Sequence, residues 1–210
     1  RTALITSQGF RDILALRRQA RPRLYDLEPK VSPPLVPRQW RFEIAERTAH
    51  DGSVMTALTE AEIERVVARL KAEGIESVAI CLLHAYANEG HEQALGAAIS
   101  AALPGVFLSL SSDVTSEFRE FERTSTVTVN AFIGPTVRDY LQRLGRELRA
   151  RAIPHLAVVK SNGGLSSAAN AQRYPVHLIE SGPAAGVIAT AALGAAEDLG
   201  NLIAFDMGGT

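Results

Sequence analysis

Apolar runs of four to six residues alternate along the chain with stretches of helical periodicity, and that alternation predicts an α/β fold. Residues 2–6 form a short apolar run expected to be a strand. Ser7 is placed to cap a helix over residues 9–18, where Phe10, Ile13, Leu14 and Arg17 share one face. The pattern dissolves across residues 22–37. Five of the ten prolines lie there, and Pro33-Pro34 excludes both helix and central strand. A surface connector fits that composition, as does an arm facing a substrate. Residues 41–47 alternate like a half-buried strand, Asp51-Gly52 is a turn, and residues 54–58 can return as a hairpin partner.

Thr59 and Glu62 have the spacing of a capping box, opening a helix whose stripe is Ile63, Val66, Val67 and Leu70 and whose end is Gly74. Residues 77–84 are apolar on both faces, as a buried parallel strand is. Asn88 can cap a helix with Ala94, Leu95, Ala98, Ile99 and Ala102 on one side. Pro104-Gly105 stops it before a strand over residues 106–110. Residues 117–151 are the longest helical stretch, with an expected break or sharp kink at Gly134-Pro135. Strands over 156–160 and 176–179, a turn at 161–164, a short helix over 167–173 and a helix of small apolar residues over 184–193 follow. Residues 202–205 are predicted to be a last buried strand.

Composition narrows the function classes. Hydrophobic residues make up 46% of the 210 and charged residues 21%, enough for a core in one large or two small domains. The formal net charge of −1 gives no electrostatic reason to propose nucleic acid or a membrane surface as partner. No apolar run approaches a membrane span and no signal peptide is visible, so the expected location is cytoplasmic. Cys81, the only cysteine, sits in an apolar run and reads as a core thiol. The chain starts on Arg1 without an initiator Met, and both ends are expected to be cut from something longer.

The candidate chemistry lies in three glycine turns that follow predicted strands: Asn162-Gly163-Gly164, Ser181-Gly182-Pro183, and Asp206-Met207-Gly208-Gly209-Thr210. Adjacent glycines can turn successive amides toward one point and so cradle an anion, phosphate above all. Asp206 could hold Mg²⁺ or its water, and Thr210 could donate to a phosphate oxygen. A plain Gly-Gly hairpin turn is the alternative. There is no G-x-G-x-x-G or Walker A pattern. Glu117, Arg119, Glu120, Glu122 and Arg123 surround Phe118 and Phe121, either as an exposed salt-bridged helix start or as a buried Glu–Arg pair lining a cleft. Glu117 and Arg119 are the catalytic candidates. Arg17, Arg18, Arg21 and Arg23 with Tyr25 could meet an anion or form a solvated basic face. His84 and His91 lack zinc spacing and read as surface or structural residues.

Residues 117–126 (EFREFERTST), Asn130, residues 161–164 (SNGG), 181–186 (SGPAAG) and 206–210 (DMGGT), with residues 2–12 at the start, together resemble the hydantoinase/oxoprolinase family of N-methylhydantoinase A type. The resemblance implies a fragment of an actin-like (ribonuclease H-like) ATPase fold. Residues 1–124 would be the family's N-terminal region, and residues 125–210 the start of its core domain, cut at the second phosphate loop. It implies ATP and Mg²⁺ as cofactors, with Asp206, Gly208, Gly209 and Thr210 in that loop; Gly163, Gly164 and Gly182, in the other two glycine turns after predicted strands, are the further candidates for a phosphate or nucleotide cleft. A cyclic amide such as a hydantoin or 5-oxoproline would be the substrate, its amide oxygen activated by phosphorylation. A hydantoinase B-type partner subunit and an oligomeric full-length protein are further implications. The ATP-using subunit of a ketone carboxylase and a non-catalytic ATPase-like scaffold stay open as alternatives. The 210-residue chain by itself is expected to be inactive, because the first phosphate loop would lie upstream of Arg1.

Overall fold

The computed structural model describes residues 1–19, 25–28 and 32–208. They form two compact units, Arg1–Pro135 and Thr136–Thr210. The first contains β1 (Thr2–Ser7), α1 (Ile13–Leu16), β2 (Arg41–Ile44), β3 (Arg47–Thr48), β4 (Val54–Thr56), α2 (Glu60–Ala72), β5 (Ser77–Cys81), α3 (Gly90–Ala102), β6 (Phe107–Leu110) and α4 (Ser111–Val114). It also holds the first half of α5 (Glu120–Ala150). The second contains the rest of α5, then β7 (Ala157–Val159), β8 (Leu165–Ser167), α6 (Ala168–Arg173) and α7 (Ser181–Ala196).

A four-stranded parallel sheet of order β2-β1-β5-β6 organises the first unit. Successive strand residues face opposite ways, so each strand feeds two cores. Ala3, Ile5, Val78 and Ile80 pack with Val66 and Leu70 of α2 and Leu95 and Ile99 of α3. Leu4, Ala79 and Cys81 pack with Leu14, Val36, Val127 and Ala131 on the other face. Both faces are covered, which explains why β1 and β5 are buried along their whole length. Burial also pushes the Cys81 thiol up to about 12, so the core reading of this cysteine holds.

Several expectations are corrected. The predicted helix over 9–18 is only the single turn Ile13–Leu16, and Ser7 does not cap it, because the Ser7 hydroxyl is taken by Glu46. The run 41–47 is split: β2 joins the parallel sheet, while β3 pairs antiparallel with β4 across the turn at Gly52 (φ +84°). The capping box is half formed. Thr59 Oγ1 accepts from the Glu62 N–H at 3.3 Å, but the Glu62 carboxylate accepts from the Ala45 N–H and pairs with Arg65. β5 stops at Cys81 because the N–H groups of Leu82 and Leu83 turn to side-chain acceptors.

The long helix α5 runs through Pro135 as one element. Pro135 removes one N–H from a helix of 31 residues, and the rest of its hydrogen-bond ladder carries the element across that gap. Gly134 has its own reason: a Cβ there would lie 2.3 Å from the Phe107 ring. The predicted strand over 176–179 is a 3-10 turn, Pro175–Leu178, opened by the fixed φ of proline. Leu165 and Ser166, between the predicted turn and helix, form β8 together with Ser167, the predicted helix start, and pair with β7. Residues 202–205 are exposed and pair with no strand among the described residues. Four apolar residues make a strand only where another backbone edge receives them.

Candidate functional site

In an open parallel sheet, ligands collect outside the carboxyl ends of the strands, where the strand order reverses. Here β1 lies between β2 and β5, so that point falls at Ser7 and at residues 82–84. A polar network fills it. The Ser7 hydroxyl accepts from the Leu83 N–H at 2.8 Å and donates to Glu46 Oε1. Glu46, 3% exposed, accepts on Oε2 from His91 Nδ1 at 2.7 Å. The Leu58 N–H donates to His91 Nε2 at 3.4 Å, which assigns the imidazole proton to Nδ1. His84, held in the left-handed region at φ +57°, donates from Nδ1 to the Thr48 carbonyl at 2.8 Å.

A second network continues beyond the ends of β5 and β6. Glu92 of α3 is fully buried. Its Oε1 accepts from the Leu82 N–H at 2.9 Å and from Ser111 Oγ at 2.6 Å, and its Oε2 from the Ser112 N–H at 2.9 Å. Burial pushes the Glu92 carboxyl up, while those three donors pull against the shift. Arg123 of α5, 2% exposed, donates to Ser111 Oγ at 2.7 Å and to the Leu82 carbonyl at 2.8 Å, and pairs with Glu120. Its guanidinium stacks 5.5 Å from the Tyr86 ring centre.

Neither network presents an activated nucleophile. The Ser7 hydroxyl points to a carboxylate and not to an imidazole, so Ser7, Glu46 and His91 do not form a catalytic triad. Their chemistry is positional: Glu46, Glu92 and Arg123 are met by donors or acceptors from other segments, which ties together the loops beyond the carboxyl ends of β1, β5 and β6. The EFREFER segment splits between its two readings. Arg123 is buried and pairs with the half-buried Glu120, short of a fully buried pair, while Glu122 makes an exposed salt bridge with Arg18. The catalytic candidates themselves are outside the cluster. Glu117 is exposed, and Arg119 (φ +81°) lies over the exposed Phe118 ring. Of the basic cluster, Arg17 and Arg18 are engaged with the Ser32 carbonyl and Glu122, and Arg21 and Arg23 lie outside the described residues.

The glycine turns all lie in the second unit. The Gly163 N–H donates to the Lys160 carbonyl at 2.8 Å and the Gly164 N–H to Asn162 Oδ1 at 3.0 Å, so both amides are spent inside the turn. Gly163 is required there by φ +82° and by Ile188 of α7, whose Cδ1 would lie 2.2 Å from a Cβ. Gly182 sits in the first turn of α7, behind Glu180 at φ +58°. Asp206 and Gly208 are exposed, and Gly209 and Thr210 lie outside the described residues. Leu202 returns onto Gly194, near the opposite end of α7 from Gly182. Asp206 has no partner among the described residues, which also contain no cluster of three metal-ligating side chains. One free carboxylate still suits Mg²⁺, which is commonly held by one or two carboxylates, waters and substrate phosphates.

Glu46, Glu92 and Ser111 carry no motif. Glu92 nevertheless has a legible signal, because it precedes Leu95, Gly96 and Ile99 at i+3, i+4 and i+7 and therefore lies on the buried stripe of α3.

Comparison with known proteins covers nearly the whole chain. The model of the hydantoinase/oxoprolinase N-terminal region matches residues 1–103, and the hydantoinase/oxoprolinase model matches residues 123–210. Caprolactamase subunit alpha of Pseudomonas jessenii is 33% identical over all of this chain, which spans 31% of that protein. 5-Oxoprolinase of Saccharomyces cerevisiae is 30% identical, and the chain spans 18% of it. Among solved structures, the ATP-dependent caprolactamase of P. jessenii superposes with a TM-score of 0.81 at 30% identity over 93% of this chain and 29% of its own. Nucleotide-free acetone carboxylase gives a TM-score of 0.81 at 24% identity over 94% of this chain and 29% of its own, a likeness of fold. The chain thus spans a third or less of these relatives. Its mainly parallel α/β architecture and its two matched regions place it in the hydantoinase/oxoprolinase family.

Proposed function

We propose that this chain is part of an ATP-dependent enzyme that opens cyclic amides. The observation that supports it best is the similarity to caprolactamase subunit alpha, which runs through every element of both units. ATP, when bound, supplies the phosphoryl group that turns an amide oxygen into a leaving group. In this reading Asp206 would be the residue to hold Mg²⁺, and Gly208, Gly209 and Thr210 would offer donors to the phosphates, where the ion would neutralise phosphoryl charge. The first-turn amides of α7 at Ser181 and Gly182 are the second set of donors the chain can offer to an anion. The networks at the sheet edge act at one remove. They fix the loops after β1, β5 and β6 and neutralise Glu92 and Arg123, so the edge keeps its shape when a ligand displaces water.

The work is shared in the full-length protein, with a partner subunit and an oligomeric assembly as parts of the proposal. Purified full-length protein, assayed with ATP and a panel of cyclic amides, should release ADP and ring-opened amino acid together. Turnover that requires bicarbonate would replace this reading by carboxylation. The 210-residue chain alone should show no ATP turnover.

A further inference from the structure

We infer that the arginine-lined groove along the outer edge of β2 docks an acidic segment of a partner polypeptide. The source of that segment, a partner subunit, rests on the function proposed above, and its charge on the groove's own chemistry. The groove lies within the first unit and has a volume of about 850 Å³. It is lined by five arginines, Arg11, Arg38, Arg41, Arg65 and Arg69, against two acids, Glu43 and Glu62, in a chain whose formal net charge is −1. A cleft lined mainly by one sign of charge concentrates ligands of the other sign.

The acids are committed to the chain itself. Glu43 Oε1 accepts from the Gly9 N–H at 2.7 Å, and Glu62 accepts from the Ala45 N–H and from Arg65. Asp12 is taken up on both oxygens by Arg38 at 3.0 Å. The arginines are not used up in return. The side chains of Arg11, Arg38, Arg65 and Arg69 are between 37% and 60% exposed. Arg38 and Arg65 spend Nε and Nη2 on carboxylates, and their Nη1 groups have no partner among the described residues. Arg69 and Arg11 stand 3.6 Å from Glu73 and 3.8 Å from Glu43, too far for a hydrogen bond. Arg41 is buried and held by the Val36 carbonyl and Asp12, so its contribution is charge. The groove thus offers positive charge and N–H donors, and the planar fork of a guanidinium matches a carboxylate.

The backbone and the shape of the groove narrow the occupant. β2 is the terminal strand of its sheet, and an open strand edge ordinarily invites another strand. Here the Glu43 carbonyl accepts from Arg65 Nη2 at 2.8 Å, and the Ala45 N–H donates to Glu62 Oε2 at 2.9 Å. Side chains of α2 therefore occupy backbone groups that strand addition needs, and recognition falls to the partner's acidic side chains. A nucleobase lacks a stacking platform. Phe42, the one aromatic residue among the described lining residues, is 8% exposed and has the Arg69 guanidinium 5.6 Å from its ring centre. The cations are also too spread for one small anion. Arg65 and Arg69 lie about a helical turn apart on α2, and Arg38 comes from the 3-10 turn before β2. Carboxylates spaced along one chain can meet them all.

The test is fluorescence anisotropy of a labelled peptide of alternating Glu and Ser, added to the full-length protein at low salt. Arg11→Ala and Arg69→Ala, which remove no hydrogen bond among the described residues, should each weaken binding about threefold to fivefold and together at least ~tenfold. Raised ionic strength should weaken wild-type binding in the same way. Arg146→Ala, an equal change of charge in the second unit, should leave binding within about twofold of wild type. Absence of binding would overturn the docking surface. So would binding that Arg146→Ala weakens as much as the groove variants do, or that inorganic pyrophosphate displaces at a lower concentration than unlabelled peptide does. Self-association of the full-length protein that Arg11→Ala and Arg69→Ala abolish would overturn the occupant in favour of a second copy. Peptide binding through Arg11 and Arg69 by a full-length protein isolated from its own cells without a second subunit would uphold the groove and overturn the proposed partner subunit. A partner complex whose affinity neither substitution alters would overturn the groove and leave that subunit standing.

Discussion

The two units handle exposed and buried groups in opposite ways. In Arg1–Pro135, a parallel sheet is covered on both faces and its buried charges are individually answered: Glu46 by Ser7 and His91, Glu92 by Leu82, Ser111 and Ser112, Arg123 by Ser111, Leu82 and Glu120. In Thr136–Thr210, large apolar residues face outward. Val187 is 58% exposed, Leu193 63%, Ile203 93% and Phe205 83%. The difference teaches where each kind of information is stored. The first unit holds a frame whose stability is local, while the second holds the glycine turns and the free Asp206 on which the proposed chemistry depends. Core substitutions in the first unit should therefore act on stability, and turn substitutions in the second on activity.

The largest expected effect would sharpen that division from the second unit. Asp206→Asn in the full-length protein should lower ATP turnover by at least ~10²-fold, the scale at which removal of a group that stabilises transition-state charge is felt. Its melting temperature should stay within a degree or two of wild type, since Asp206 is exposed and unpartnered. A large loss of stability with normal turnover would break the comparison.

Next comes Arg123→Met in the first unit. It removes the cation shared by Ser111, Leu82 and Glu120, and chemical denaturation should show a loss of about 3–5 kcal/mol. Glu92→Gln should cost less, about 1–3 kcal/mol, because the carboxamide NH₂ must face one of three N–H or O–H donors. Gly134→Ala should cost about 1–3 kcal/mol by forcing the Phe107 ring away from α5, although alanine is otherwise the better helix former.

The legibility of the fold follows from the same contrast. β1, α2, β5, α3 and β6 could be read from the sequence because a two-faced core imposes period 2 on strands and period 3.6 on helices. Residues 202–205 have the composition of a strand, yet composition cannot supply a neighbouring edge. β8 was hidden for a related reason: Leu165, Ser166 and Ser167 are barely apolar, and only pairing with β7 makes them a strand. The motif residues at 117–126 and 206–210 identified the family, but the buried acids Glu46 and Glu92 stayed outside any motif. Their roles come from backbone N–H groups and hydroxyls brought by distant loops, a property of the fold and not of local sequence. Glu117 and Arg119 show the converse, since they stand inside the motif and remain exposed.

The smallest predicted effect concerns pH. The Arg65 guanidinium and the Ala45 N–H hold the Glu62 carboxyl down to about 2 from its ordinary 4.5. A depressed carboxyl adds stability above its unfolded value and loses it on acidification, so this contribution should disappear as pH falls from about 4.5 to 2. Glu92 works in the other direction, because its carboxyl is raised by burial and protonation on acidification favours the folded state. Glu62→Gln should flatten the acid limb of the stability curve by about 1 kcal/mol or less, in keeping with a partly exposed ion pair.

The central claim, that this chain belongs to an enzyme coupling ATP cleavage to the opening of a cyclic amide, is tested most directly by one stoichiometry. ADP and ring-opened product should be released by the full-length protein in a one-to-one ratio, and both should be lost together in Asp206→Asn. Ring opening without ATP, or ADP release that depends on bicarbonate instead of a cyclic amide, would contradict it.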